Sequence, residues 1–358
     1  MKILQVINQL EPGGAEILVR DLVIEMQARG ADVSIYLLKS TGSGLEVELK
    51  SAGVKVYCGA QSSVRSIKQV FFLAKHIREN KYDVIHAHLF PSQLWLPLAS
   101  RMSGVRSLLI CTEHNTYYRR REKFYYRILD SYLFKKYDAV IGVSDNTKLA
   151  LEKYLPFLKG LVVSVPNGVQ LSKFQYAEFY SKEVFFDNQL PIVIAVGRLH
   201  PQKNYSILIE AISKIENVNL IVVGEGEERA KLEGQIKAKG LQSRVRLLGN
   251  RSDIPRLLKT ADMFVMSSLW EGLSIAMLEA MAAEIPLIVT TIPGVVDWVG
   301  DAGLFVQPNN ADEIAKGIEE ILNNSSLKRQ LVEAGKLKSN EYSLTKVLER
   351  HLEVYSNC

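Results

Sequence analysis

The stretch "DMFVMSSLWEGLSIAMLEAMAAEIPLIVTT", residues 262–291, carries the pattern on which the fold turns. It opens on a short apolar run, "DMFVMSS", and closes on a β-branched one, "IPLIVTT". Between them, "SIAMLEAMAA" is built of helix formers. Strand, loop, helix and strand in that order make a βαβ unit, whose crossover sets the two strands parallel. The unit also carries two carboxylates, Glu271 in the loop and Glu279 eight residues on, in a run otherwise suited to burial. Ionised carboxylates rarely sit among apolar neighbours unless something pairs with them.

The same rhythm extends in both directions. Towards the N-terminus of this half lie "PIVIAVGRL", "NLIVVGEG" and "RVRLLGN", and beyond the unit lies "GLFVQP". The first half has its own series: "KILQVI", "DVSIYLL", "VKVYC", "DVIHAH", "SLLICTEH" and "DAVIGVS". Amphipathic segments separate the runs, as in "GAEILVRDLVIEMQARG", which ends on Gly30 in C-cap fashion. Two strand–helix series predict an α/β protein with two doubly wound domains. The join falls where "VPNGVQLSKF" has turn chemistry and the following residues lose periodicity. We therefore expect a first domain over 1–165 and a second over 166–342. A last amphipathic helix should follow within 343–358, because Leu344, Val347, Leu348, Leu352 and Tyr355 recur at helical spacing.

At 358 residues the chain is long for one core, which agrees with two domains. A net charge of +5 suits anionic ligands or an anionic membrane face without demanding either, and no nucleic-acid motif is present. Cys58, Cys111 and Cys358 are scattered with no CxxC pair, which argues for a reducing compartment and against a zinc site. The opening "MKILQVINQL" reads as a strand, and no uncharged apolar run reaches 18 residues. A cytoplasmic protein is expected, at most peripheral at the inner membrane face.

In open α/β sheets, ligands bind beyond the carboxyl ends of strands, so residues just after strands carry the candidate chemistry. "EPGGAE" follows the first strand and opens a helix. There Gly13 and Gly14 can admit a ligand to free helix N–H groups, or can simply form a tight turn. In "VGRLHPQKN", Arg198 and Lys203 are two cations flanking a helix start, a pattern suited to a diphosphate. After the strand "DMFVMSS", Gly272 lets the loop turn tightly into a helix beginning near residue 273. Glu271 then stands at the crevice, the N–H groups of Leu273 and Ser274 face phosphate, and Glu279 can accept from a diol. His114, ending "LLICTEH", is a candidate acid, base or hydroxyl orienter. His86 and His88 share one face of a strand and, lacking a third convergent ligand, read as crevice lining or packing.

Taken together, Gly13-Gly14, "GRLHPQKN", "PNGV" and the E-x7-E spacing from Glu271 to Glu279 resemble the retaining glycosyltransferases of family 4. That resemblance covers essentially the whole chain and implies the GT-B fold, two Rossmann-like domains facing a central cleft. It further implies that Arg198 and Lys203 hold the donor diphosphate, Glu279 the ribose hydroxyls and Glu271 the donor sugar. By the same resemblance, Leu273 and Ser274 touch phosphate and sugar, while Asn250 and Arg251 border the base. Gly13 and Gly14 would approach the diphosphate, and His114 would line the reaction centre. The loop "GEGEE" departs from the GxGP of many relatives.

The implied substrate is a nucleotide sugar, UDP-linked and with glucose as the guess, delivered to a saccharide or lipid-linked acceptor. No cofactor is expected. No D-x-D occurs in the chain, and two fixed cations can neutralise the leaving diphosphate, so no essential metal is expected either. The competing readings are a non-hydrolysing nucleotide-sugar epimerase and a nucleotide-sugar-binding regulator. A dehydrogenase is disfavoured, because no full G-x-G-x-x-G follows the first strand. "YYRRREKFYYRILDSYLFKKY", residues 117–137, interleaves aromatics with cations; it fits either a membrane contact or a helix packed on its own sheet.

Overall fold

A computed structural model describes residues 1–11, 13–59, 63–114, 121, 123–271 and 274–357. The chain divides into two compact units, Met1–Gly168 with Leu344–Cys358, and Val169–Ser343. The second unit thus begins three residues later than the sequence suggests.

In the first unit the strands are β1 (Lys2–Ile7), β2 (Asp32–Leu37), β3 (Lys55–Cys58), β4 (Val84–His88), β5 (Leu108–Glu113), β6 (Ala139–Gly142) and β7 (Val162–Ser164). They form one parallel sheet in the order β3-β2-β1-β4-β5-β6-β7. Strand β7 has no counterpart among the six sequence-predicted runs. It is three residues long, "VVS", too short to show a period of its own.

In the second unit β8 (Ile192–Val196), β9 (Asn219–Val223), β10 (Val245–Leu247), β11 (Met263–Met266), β12 (Leu287–Thr290) and β13 (Gly303–Val306) follow the order β10-β9-β8-β11-β12-β13, again all parallel. The uninterrupted apolar character of these strands has a direct cause. Val193, Ala195, Leu220, Val222, Met263 and Val265 face one hydrophobic cluster, while Ile192, Ile194, Ile221, Val223, Phe264 and Met266 face the other. With helices on both faces, every residue of a central strand is buried, so alternation gives way to a continuous run. Each such side chain contributes roughly 1.5–3 kcal/mol relative to exposure.

The helix Leu344–Asn357 returns to the first unit. It packs beside the helix Gly14–Ala28 through a stripe that buries Leu344, Val347, Leu348, His351, Val354 and Tyr355. Gly168 makes room for it: a Cβ there would lie 3.0 Å from Val347 Cβ and 3.2 Å from Leu344 Cα. No described helix is long and apolar enough to cross a membrane.

Candidate active site

Each sheet reverses its strand order once, between β1 and β4 and between β8 and β11. Ligand sites of doubly wound sheets form at such switch points, beyond the strand ends.

In the second unit, two loops leave β8 and β11 there. Gly197 and Arg198 continue β8; Ser267, Ser268 and Glu271 continue β11. Lys203 closes a short 3-10 turn, Pro201–Lys203, just before the helix Tyr205–Ser213. Its Nζ donates to Glu271 Oε1 at 2.5 Å, with side chains 18% and 8% exposed. Ser268 Oγ donates to the same oxygen at 2.7 Å. The two loops are laced together: Leu269 N donates to Gln202 O (2.8 Å), Gln202 Nε2 to Trp270 O (2.7 Å) and Ser267 Oγ to Lys203 O (2.8 Å). Thr290 Oγ1 donates to Ser268 O at 2.6 Å and fixes the loop from beneath.

Glu271 therefore already holds a cation and a hydroxyl of its own within the protein. Arg198 differs. It is exposed, and its side chain has no hydrogen-bond or ion-pair partner among the described residues. Tyr205 lies beneath the same corner, with its hydroxyl buried and making no hydrogen bond among the described residues. Burial, and then the Glu271 charge, push the phenol far above its ordinary value. A Cβ on Gly197 would lie 2.9 Å from that hydroxyl and 3.0 Å from Lys203 Cε, so this glycine (φ +151°) keeps the corner open.

Glu279 is half-buried on the helix Ile275–Ala282, which starts two residues later than expected, with Ser274 as its N-cap. Gly272 and Leu273 lie outside the described residues, so the predicted Leu273 contact does too.

The "GEGEE" loop is a structural brace. Gly197 N donates to Val223 O, Leu199 N to Glu225 O and Gly224 N to Gly249 O, each at 2.9 Å. A Cβ on Gly224 would collide with the Gly197 carbonyl oxygen, and one on Gly226 with Leu199 O. Two of its carboxylates are paired within the loop and the helix that follows: Glu225 with Arg229 at 2.6 Å and Glu228 with Lys231 at 2.8 Å. Gly224 also has φ +137°, so Gly224→Ala is expected to cost about 1–3 kcal/mol. Urea unfolding of the second unit reads this directly; an unchanged midpoint would mean that the two loops can part freely.

Asn250 is exposed beyond β10. Arg251, predicted beside it, is committed to a fork on Asp253, at 2.8 and 2.6 Å. That fork, with Tyr180 donating to the same carboxylate at 2.6 Å, holds the Asp253 carboxyl down at about 2. A base bordered by Arg251 would meet a guanidinium already paired.

In the first unit, Gly13 has extended backbone (φ −156°) and caps the helix Gly14–Ala28. Its missing side chain leaves space taken up by the Glu16 carboxylate, which a Cβ would strike. An anion approaching this helix end must therefore displace or share with Glu16. On β4 and directly after β5 lies a group of histidines. Strand register puts Gln5, His86, His88 and Thr112 on one face, because Gln5 pairs with His86 and His88 with Thr112. The helix Leu344–Asn357 adds Tyr355 and His351 over that face. His114, directly after β5, is half-buried with its Nε2 3.2 Å from His88 Nδ1. Burial, with the His351 charge adding to it, pushes His114 down to about 3, and burial takes His351 down to about 4. His86 and His88, fully buried, are held well below the usual range for the same reason. No group of three or more His, Cys, Asp or Glu suited to a metal occurs among the described residues.

Sequence reasoning missed Ser268, Gln202 and Tyr205 in the second unit and Gln5, Thr112 and Tyr355 in the first. Ser267 and Ser268 carried a signal, two hydroxyls ending an apolar strand. The others meet their partners only through register or over long separations.

Both halves match known sequence families. The family described as Glycosyltransferase Family 4 matches residues 12–173, and that described as Glycosyl transferases group 1 matches residues 177–338. The chain belongs to the family 4 glycosyltransferases of GT-B fold. It is 28% identical over 329 residues to the Escherichia coli UDP-Gal:alpha-D-GlcNAc-diphosphoundecaprenol alpha-1,3-galactosyltransferase, covering 87% of this chain and 84% of the relative. It is 26% identical over 373 residues to a Campylobacter jejuni alpha-1,4-N-acetyl-D-galactosaminyltransferase acting on a PP-undecaprenol-linked glycan, covering 99% and 98%. Among solved structures, the Anabaena HepE protein in complex with UDP and glucose superposes over 100% of both chains with a TM-score of 0.87 at 22% identity, which establishes the shared fold.

Proposed function

We propose that the protein transfers a hexosyl group from a UDP-linked sugar to a saccharide carried on a lipid diphosphate, with retention of configuration and without an essential metal. The observation that carries this reading is the corner at the β8–β11 switch point. There Arg198, whose side chain has no partner among the described residues, follows Gly197, and Lys203, held by Glu271, packs against that glycine. Charge builds on the departing diphosphate during glycosyl transfer, and fixed cations in a partly desolvated site stabilise it. In this reading Arg198 forks the diphosphate oxygens and Lys203 follows the developing charge. Glu271 takes hydroxyls of the transferred sugar and Glu279 the ribose diol. Ser274 and Leu273 meet phosphate and sugar, Asn250 and Arg251 border the base, and Gly13 and Gly14 approach the diphosphate. His114 lines the reaction centre.

The acceptor class is supported by the two relatives above, whose names both specify an undecaprenol diphosphate carrier. It is supported as well by the helix Phe124–Phe134, where Phe124 (75%), Tyr125, Ile128 and Tyr132 are exposed rather than packed on the sheet. Lys123, Arg127, Lys135 and Lys136 are exposed alongside them. Apolar wedges between cations suit an anionic bilayer surface that presents such an acceptor.

The test is UDP release from UDP-glucose and UDP-galactose, with and without a polyprenyl-diphosphate saccharide and with and without EDTA. The product's anomeric configuration is read by NMR. EDTA-insensitive, acceptor-dependent release with retention is expected; epimerised donor, or UDP binding without release, would favour the alternatives. The two glutamates should fail differently. Glu279→Ala is expected to weaken affinity for UDP and for the donor alike, by roughly 1.5–3 kcal/mol. Glu271→Ala is expected to lower turnover while leaving UDP affinity nearly unchanged. Calorimetric titration of UDP into both variants decides the matter; equal losses of UDP affinity would end this division of labour.

A further inference from the structure

The structure assigns a positioning role to Tyr355, Gln5 and His88: they form a polarised chain of hydrogen bonds that fixes His114 as its Nε2–H tautomer and presents its Nδ1 lone pair to a sugar hydroxyl. The assignment rests on the reading of His114 as lining the reaction centre.

The chain runs through five contacts, all within the first unit. His114 Nε2 lies 3.2 Å from His88 Nδ1, and His88 Nε2 lies 2.7 Å from Gln5 Oε1. Gln5 Nε2 lies 3.1 Å from the Tyr355 hydroxyl. That hydroxyl lies 2.7 Å from His86 Nδ1, and His86 Nε2 lies 2.7 Å from Thr112 Oγ1. A neutral imidazole donates from one nitrogen and accepts at the other, so two stacked histidines alone could be protonated either way round. The Gln5 amide ties the two halves of the chain together, since its oxygen only accepts and its nitrogen only donates, and here it is Oε1 that faces His88 and Nε2 that faces Tyr355.

With Oε1 facing His88, the His88 proton must sit on Nε2, and its Nδ1 must accept. His114 can then donate only from Nε2, which leaves Nδ1 bare. On the other side, Gln5 Nε2 donates to Tyr355, whose own proton goes to His86 Nδ1, and His86 donates onward to Thr112. Every bond points away from His114. Gln5, His86, His88 and Tyr355 are all buried, so an unmade bond anywhere in the chain would be costly. His114 Nδ1 has no hydrogen-bond partner among the described residues. The ring is also the half-buried end of an otherwise buried chain. An acceptor at that atom suits a hydroxyl donor, whereas an N–H there would call for a carbonyl or an oxyanion.

Nitrogen-15 NMR of the full-length labelled chain tests this. In the wild-type protein above pH 7, His114 should show a protonated Nε2 and an unprotonated Nδ1. Tyr355→Phe keeps the ring and removes only the hydroxyl, freeing the Gln5 amide to turn over. In that variant the His114 signals should report a mixture of tautomers. kcat should fall about tenfold, the scale of one hydrogen bond, with UDP affinity unchanged. A wild-type spectrum with Nδ1 protonated overturns the assignment. So does a Tyr355→Phe variant that keeps both the tautomer and kcat and loses only thermal stability, since that is the signature of packing alone. His114→Ala separates this from the functional reading on which it rests. Undiminished transfer in that variant would remove His114 from the reaction centre whatever the tautomer, whereas lost transfer with the opposite tautomer would overturn the chain alone.

Discussion

Lys203→Ala should cut turnover by about 10- to 150-fold, the value of one charge-assisted contact, and by more where that contact tightens in the transition state. Arg198→Ala should cost a similar amount, yet the two variants should differ in stability. Lys203 neutralises a carboxylate only 8% exposed, and its removal strands Glu271 with the Ser268 hydroxyl as its remaining described partner. Stranding a largely buried charge is costly, here about 1–3 kcal/mol after allowing for partial exposure of the pair. Arg198 is exposed and unpaired, so Arg198→Ala should move the unfolding midpoint by less than about 0.5 kcal/mol. Steady-state kinetics beside urea titration decide both halves. Near-wild-type turnover in both variants would sink the diphosphate assignment. Loss of activity in Lys203→Ala with no loss of stability would mean that the Lys203–Glu271 pair contributes nothing to the free protein.

The second large effect is a loss of stability in mild acid. His86, His88, His114 and His351 are all depressed in the folded protein, whereas an unfolded histidine titrates near ~6.5. Between those values the unfolded chain binds more protons than the native one. Stability is therefore fully present above about pH 7 and falls as the pH drops through about 6.5. Each such group contributes up to about 1.4 kcal/mol per pH unit, so four coupled ones should remove roughly 3–5 kcal/mol between pH 7.5 and 5.5. All four lie in the first unit, as does His76, likewise pushed down to about 4 by burial, while the second holds only the partly exposed His200. Urea unfolding at the two pH values should move the first unit's midpoint far more than the second's. A midpoint that stays put would show that these rings accept protons in the folded state.

How much of this could be read in the sequence varies with distance along the chain. The alternation of apolar runs and helical segments was legible because burial on both sheet faces keeps the inner strands mostly apolar. The candidacy of Arg198, Lys203 and Glu271 was legible as position after a strand, since every switch-point loop starts there. What was illegible was the internal pairing. Nothing local to Lys203 announces that Glu271, 68 residues on, already holds it. His86 and His88 could be placed on one strand face by their spacing of two. Their partners Gln5, Thr112 and Tyr355 belong to two other strands and a helix 269 residues from His86. Arg251 shows the opposite hazard: its partner Asp253 stands only two residues away, open to view, and a search for residues just after strands passes over the fork between them.

The chain passes from the first unit to the second at Gly168–Val169 and back at Ser343–Leu344. Val169 N donates to Tyr342 O at 3.0 Å, and Val169 pairs in parallel with Ser343. The second unit is therefore an insert spliced into the first, with its two ends already side by side. Residues 169–343 form a continuous piece that can be cut out and expressed alone with both termini anchored. The first unit has no continuous gene fragment. Expressing 1–168 would leave Gln5 and His86 without Tyr355, so a workable version needs residues 344–357 supplied through a linker bridging the excised insert.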